Sequence, residues 1–92
     1  MIRSFIHKGL ERFYLTGNRA GIQPQHSDKL RRILTVLDQA KTPEECSFPG
    51  FRLHRLKGAR KSIWSISVQA NWRVTFRFVG TDVEIVNYED YH

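Results

Sequence analysis

The chain has 92 residues, with 15 Lys and Arg against 9 Asp and Glu for a formal charge of +6, one Cys, 40% hydrophobic and 12% aromatic residues. That length supports a single domain over residues 1–92 with one modest core, and it excludes two-domain, Rossmann and barrel architectures with deep cofactor cavities. The aromatic content and the 26% charged fraction are those of an ordered domain.

Residues 1–6 alternate Ile2, Ser4 and Ile6 against Arg3 and Phe5, which predicts a short edge strand. Leu10, Phe13 and Tyr14 then stand at i, i+3, i+4 in a first helix over residues 8–16, and Gly17 follows as a C′ residue suited to the left-handed conformation. After a Gly- and Asn-containing loop, Pro24 opens the first turn of a second helix whose apolar stripe is Leu30, Ile33, Leu34, Leu37 and Ala40, ending near Lys41. Thr42-Pro43-Glu44-Glu45 reads as a helix start that Phe48-Pro49-Gly50 stops after at most one turn. Beyond Gly50 the period changes to two, with turn signals at Lys57-Gly58, Ala70-Asn71 and Gly80-Thr81, so four strands form a meander. In the clearest of them Trp72, Val74, Phe76 and Phe78 share one face, and Arg73, Thr75 and Arg77 share the other. Helices first and sheet last predict an α+β fold, two N-terminal helices packed on a small, mostly antiparallel sheet.

The lone Cys46 cannot form an internal disulfide, and no Cys or His cluster has zinc-ligand spacing, so no cofactor or metal is expected and a reducing compartment fits best. No apolar run approaches the length of a membrane span, and residues 1–8 lack the apolar region of a signal peptide, which together predict a cytoplasmic protein with no membrane partner.

Residues 46–81 contain no carboxylate, yet hold seven basic residues, Arg52, Arg55, Lys57, Arg60, Lys61, Arg73 and Arg77, interleaved with Trp64, Trp72, Phe76 and Phe78. An uncompensated basic block attracts a polyanion, so nucleic acid is the expected partner, with RNA lying on the polar, cationic sheet face. No helix carries a basic recognition face in a helix-turn-helix pattern, which disfavours sequence-specific DNA binding.

Two clusters carry candidate chemistry. His54 is flanked by Arg52, Arg55 and Lys57, and neighbouring cations favour the neutral imidazole that a general base requires. Asp90-Tyr91-His92 closes the chain, and a histidine beside carboxylates suits a general acid. His7 and His26 have no comparable neighbours and are expected on the surface. Metal-free RNA cleavage needs a base for the 2′-OH, an acid for the 5′-oxygen and cations around the phosphorane, and His54, His92, Lys57 and Arg73 can supply them. The residues alone leave two classes open: an endoribonuclease, or a non-catalytic RNA- or ribosome-binding domain.

The strings Leu53-His54-Arg55-Leu56-Lys57-Gly58, Trp64-Ser65-Ile66-Ser67-Val68, Ala70-Asn71-Trp72-Arg73-Val74-Thr75-Phe76 and Asn87-Tyr88-Glu89-Asp90-Tyr91-His92 resemble the HigB toxins of the RelE superfamily over nearly the whole chain. The resemblance implies the same small α+β fold and a toxin of a type II toxin-antitoxin system that cuts translated mRNA in the A site of the 70S ribosome. It implies His54, Asp90, Tyr91 and His92 as catalytic residues, with acid and base unassigned between them, and Lys57 and Arg73 as phosphate contacts. Arg55 and Arg77 on the basic strands join these as substrate-binding candidates. Implied partners are the mRNA, rRNA and a HigA-type helix-turn-helix antitoxin, whose specific adaptations are expected in the loop of residues 19–26 and in Phe48-Pro49-Gly50-Phe51.

Overall fold

A computed structural model describes residues 1–60 and 62–91, with the backbone alone at Ala59. Helix α1 spans Lys8–Thr16. It starts where the His7 ring nitrogen Nδ1 accepts the Leu10 N–H at 3.0 Å, and it ends where Gly17, at φ +80°, turns its own N–H back to the Phe13 carbonyl. Its first turn lies against the following loop so closely that a Cβ on Gly9 would stand 2.6 Å from the Gly21 carbonyl oxygen, so only a hydrogen fits there. A 3₁₀ turn, Pro24–His26, leads directly into helix α2, Ser27–Gln39. A second 3₁₀ turn, Pro43–Cys46, is the single turn expected before the Pro-Gly stop, and it buries Cys46, whose thiol burial pushes up to about 11.

The meander follows as β1 (His54–Arg55), a 3₁₀ turn at Gly58–Arg60, β2 (Trp64–Gln69), β3 (Trp72–Val79) and β4 (Asp82–Asp90), in spatial order β1-β2-β3-β4 with every pair antiparallel. The expected N-terminal edge strand is reduced to two parallel bridges against β4, Ile2 to Val83 and Phe5 to Val86. Leu10, Leu30, Ile33 and Leu37 from the helices meet Ile66, Val74, Phe76, Val83 and Val86 from the sheet, and all of these are fully buried. Among the described residues no helix is long and apolar enough to cross a membrane.

One irregularity in β4 decides which residues face outward. Strict alternation would put Glu84 on the same face as Val86 and Tyr88, in the core. Instead the register slips between Thr75 and Arg77, Ile85 takes φ +49°, and the extra residue lets Val83, Val86 and Tyr88 all point inward while Glu84, Asn87 and Glu89 point outward. A β-branched residue at positive φ is costly. Ser4 offsets that cost by accepting the Ile85 N–H on Oγ at 2.8 Å and the Val86 N–H on its carbonyl at 3.1 Å.

The histidines outside the two clusters correct the surface expectation. His26 is buried: its Nδ1 lies 2.6 Å from the Tyr88 hydroxyl and its Nε2 lies 3.0 Å from Gln69 Oε1. Gln69 Oε1 only accepts, so Nε2 carries a proton, while the Tyr88 hydroxyl beside Nδ1 also accepts the Gln23 N–H at 3.3 Å. The ring also meets Trp72 edge-on. The sequence carries no warning because its partners Gln69 and Tyr88 are 43 and 62 positions away, on the sheet. His7 is half-buried as the cap of α1, and burial draws its basicity below the ordinary value.

Candidate active site

Alternation along the strands puts His54, Ser65, Ser67, Arg73, Thr75, Asn87 and Glu89 on the outer sheet face, because His54 stands opposite Ser65, Ser67 opposite Arg73, and Arg73 opposite Glu89. Near the β2–β3 turn this face sinks into a depression of about 150 Å³ lined by His54, Ser65, Ser67, Ala70, Asn71, Trp72, Arg73 and Tyr91. Tyr91 arrives there because its N–H donates to the Asn71 carbonyl at 2.7 Å, which carries the chain past the end of β4 and along the turn.

The electrostatics differ from those of an uncompensated basic block. Folding lays β4 beside β3, so Arg77 pairs with Glu84, and Arg73 donates to Glu89 Oε1 through Nε and Nη2, both at 2.8 Å. Arg60 in the β1–β2 connection reaches the same Glu89 oxygen at 3.5 Å. Ser65 and Thr75 on this outer face are buried all the same. The carboxylate-free stretch of sequence is thus compensated in space, by residues beyond position 81. Lys61, also in that stretch, lies outside the described residues.

Two groups in the depression are set up for chemistry. His54 Nδ1 lies 3.0 Å from the Arg52 carbonyl, which only accepts, so Nδ1 carries a proton and Nε2 is the nitrogen that holds the lone pair whenever the ring is neutral. Arg52 directs that carbonyl from a left-handed backbone at φ +50°. The Tyr91 ring centroid lies 4.1 Å from the Arg73 guanidinium carbon, so the cation is covered on one face by an aromatic ring and held on one edge by Glu89. In the wall, Ser65 Oγ is buried and has no hydrogen-bond partner among the described residues, a polar atom available to a ligand.

Larger concavities lie among the helices but lack such groups. The cleft between α1 and α2, about 340 Å³, contains Asp38, whose Oδ1 already accepts the Ile2 N–H and the Tyr14 hydroxyl. The groove beside Val36, Phe48, Pro49 and Phe51, about 630 Å³, is largely apolar apart from Arg31, Arg32 and Thr35.

A family model described as the RelE-like toxin of the type II toxin-antitoxin system HigB matches residues 3–92. The chain belongs to the HigB-like toxin family. It is 45% identical to the endoribonuclease HigB of Proteus vulgaris over 92 residues, 100% of both chains.

Within this HigB-like fold, His54, Arg73 and Tyr91 come together in one depression. Other candidates from the sequence stand apart from it. Asp90 is paired with Trp72 in register, on the face turned away from the depression, and its charge acts on Tyr88, whose phenol burial already pushes up. Arg55 lies across the Trp64 ring, with the guanidinium 5.7 Å from its centroid. Lys57 is exposed in the β1–β2 connection, and Arg77 lies further along β3 with Glu84. His92 lies outside the described residues. Sequence reasoning missed Glu89, Ser65 and Asn71. Glu89 was detectable only through the pairing register of β3 and β4; Ser65 and Asn71 carried no signal beyond their strand and turn positions.

Proposed function

We propose that this HigB-like toxin is an endoribonuclease that cuts translated mRNA in the ribosomal A site without a metal ion. The observation that carries the reading is the meeting of His54, whose Nδ1 donates to the Arg52 carbonyl, and the Arg73 guanidinium at one depression, in a chain 45% identical to an endoribonuclease. His54 takes the proton of a ribose 2′-OH, and the 2′-oxygen forms a bond to the neighbouring phosphorus. The bond from phosphorus to the 5′-oxygen breaks, and that oxygen takes a proton from His92. The products are a 2′,3′-cyclic phosphate and a free 5′-hydroxyl. Arg73 and Lys57 stabilise the charge of the phosphorane, while Asp90 and Tyr91 orient the acid and the substrate. Arg55 and Arg77 contact neighbouring phosphates.

Two features favour dependence on the ribosome. A depression of about 150 Å³ is below the roughly 300 Å³ at which small-ligand pockets begin, so it accommodates a phosphate and part of a ribose but no base. Its outer-face arginines are also engaged by Glu84 and Glu89, which weakens the pull on bare RNA. The mRNA is therefore held chiefly by rRNA and decoding contacts. In the cell the toxin is restrained by a HigA-type helix-turn-helix antitoxin.

The test is cleavage of mRNA on programmed ribosomes with a single 2′-deoxynucleotide at the cut site. The expected result is cleavage of the ribose substrate, a cyclic phosphate terminus, and no cleavage of the deoxy substrate. Equal cutting of both would overturn the mechanism, equal cutting of free RNA would overturn the ribosome dependence, and intact mRNA on ribosomes that still bind the protein would leave a non-catalytic binder.

A further inference from the structure

Glu89 performs no step in the mechanism above, yet it occupies the centre of the site's charge. One of its carboxylate oxygens accepts from Arg73 Nε and Nη2 at 2.8 Å each, and Arg60 stands 3.5 Å away. The Arg73 side chain is only 12% exposed, and Tyr91 covers one face of its guanidinium. An arginine side chain has several rotatable bonds and is ordinarily mobile at a surface. Here one edge is held by Glu89 and one face by Tyr91, which among the described residues leaves the Nη1 edge as the unengaged donor set in a side chain that lines the depression. Placing an anion beside a phosphate-binding cation lowers affinity for phosphate, so a site built only for RNA affinity would lack it. An anion that fixes the orientation of the cation before charge develops lowers the cost of stabilising that charge.

We propose that Glu89 is a positioning residue, which presents the Arg73 guanidinium edge-on to the scissile phosphate and trades ground-state RNA affinity for transition-state stabilisation. The proposal rests on the endonuclease reading. Arg60 shares the load, so the β1–β2 connection and the end of β4 are tied through the same oxygen.

Opposite signs in two kinetic parameters make this testable. Removing a carboxylate raises the net positive charge by one; on electrostatics alone the variant binds ribosome-bound mRNA more tightly and nothing else changes. On the positioning reading, Glu89→Ala lowers kcat at least tenfold while the half-saturating concentration falls or stays level. Glu89→Gln, which keeps an acceptor oxygen for Arg73, recovers part of kcat. Glu84→Ala makes the same charge change on the same sheet face outside the depression and keeps kcat within twofold of the unaltered protein. Full kcat in Glu89→Ala, or an equal loss in Glu84→Ala, overturns the proposal.

A second readout separates it from the endonuclease reading. In the unaltered protein the Arg73 Nε–H should give a sharp, slowly exchanging NMR resonance, lost in Glu89→Ala. If the unaltered protein fails to cut mRNA, the endonuclease reading falls and the proposal's catalytic half falls with it. If the protein cuts but the resonance is unchanged in Glu89→Ala, Glu89 does not hold Arg73 and only the positioning proposal falls. Thermal unfolding of each variant identifies one that fails to fold, in which case Glu89→Gln alone decides.

Discussion

The two faces of the sheet meet at the same corner, where β2 turns into β3 and β4 ends, and they treat polar groups in opposite ways. On the inner face the Gln23 N–H, Tyr88, His26 and Gln69 form a chain of hydrogen bonds, with the His26 ring packed edge-on against Trp72. On the outer face, one residue along each strand, Arg73 is held by Glu89, His54 donates from Nδ1 to the Arg52 carbonyl, and Ser65 Oγ has no partner among the described residues. The inner chain ties the α2 start to the sheet, while the outer groups line an open depression. Strand alternation lets one short stretch, Trp72-Arg73 against Tyr88-Glu89, serve both faces: the even residues anchor the corner and the odd ones stand on the outer face.

Breaking the inner face should have the largest effect, and it should appear as stability. His26→Ala leaves a cavity and strips partners from Tyr88 and Gln69, costing about 3 to 4 kcal/mol in chemical denaturation. Well below its melting temperature the variant should retain more cleavage than an outer-face variant does. Arg73→Ala is the converse. It should reduce cleavage on ribosomes about 100-fold, the order of one lost oxyanion donor, while the unfolding midpoint moves little. Tyr88→Phe sharpens the contrast, since it keeps the Trp72 stacking at 4.6 Å and removes only the hydroxyl shared by His26 and Gln23. Its expected cost is about 1 to 2 kcal/mol with cleavage nearly intact. A large rate loss in Tyr88→Phe, or a large stability loss in Arg73→Ala, would mean that the two faces are not separable.

How far this contrast was legible in the sequence depends on the range of the interactions. Helix α1 was read to the residue because its signals, the Leu10 and Phe13 spacing and the Gly17 stop, act within one or two turns. The meander was read because each strand carries its own alternation and each turn its own Gly or Asn. The Arg77–Glu84 pair was within reach, since a two-residue turn at Gly80-Thr81 sets that register. The Arg73–Glu89 pair was not. Carrying the same register on would place Tyr88 opposite Arg73, and only the extra residue at Ile85 brings Glu89 there; that bulge lacks the glycine that would announce it and relies on Ser4, 81 positions away. His26 failed for the same reason, and so did the inference of an uncompensated basic block: both depended on which distant strand end lies alongside.

The smallest expected effect tests the edge that supports the bulge. The N-terminal segment is tied to β4 by Asp82, whose carboxylate accepts from Arg3 Nε at 2.8 Å and lies 3.5 Å from the Met1 amine. The hydrogen bond from Arg3 holds the Asp82 carboxyl below the usual carboxylate range, with the Arg3 and amine charges adding to it. A carboxyl more acidic in the folded than in the unfolded state contributes stability that is complete above its unfolded value, near 3.8, and is lost as pH falls through the lower, folded value. Asp82→Asn should therefore lower the melting temperature slightly at pH 7, with the difference shrinking towards zero as the pH falls below 3.8. Salt should shrink it too, because the pair faces solvent. Because the contacts of residues 1–6 with β4 fall at Asp82 to Val86 and not at Glu89 among the described residues, the same variant should leave cleavage at pH 7 close to that of the unaltered chain. A loss of cleavage as large as that of Arg73→Ala would show that the outer face depends on the bulge for the placement of Glu89, and would couple the quietest edge of the molecule to its chemistry.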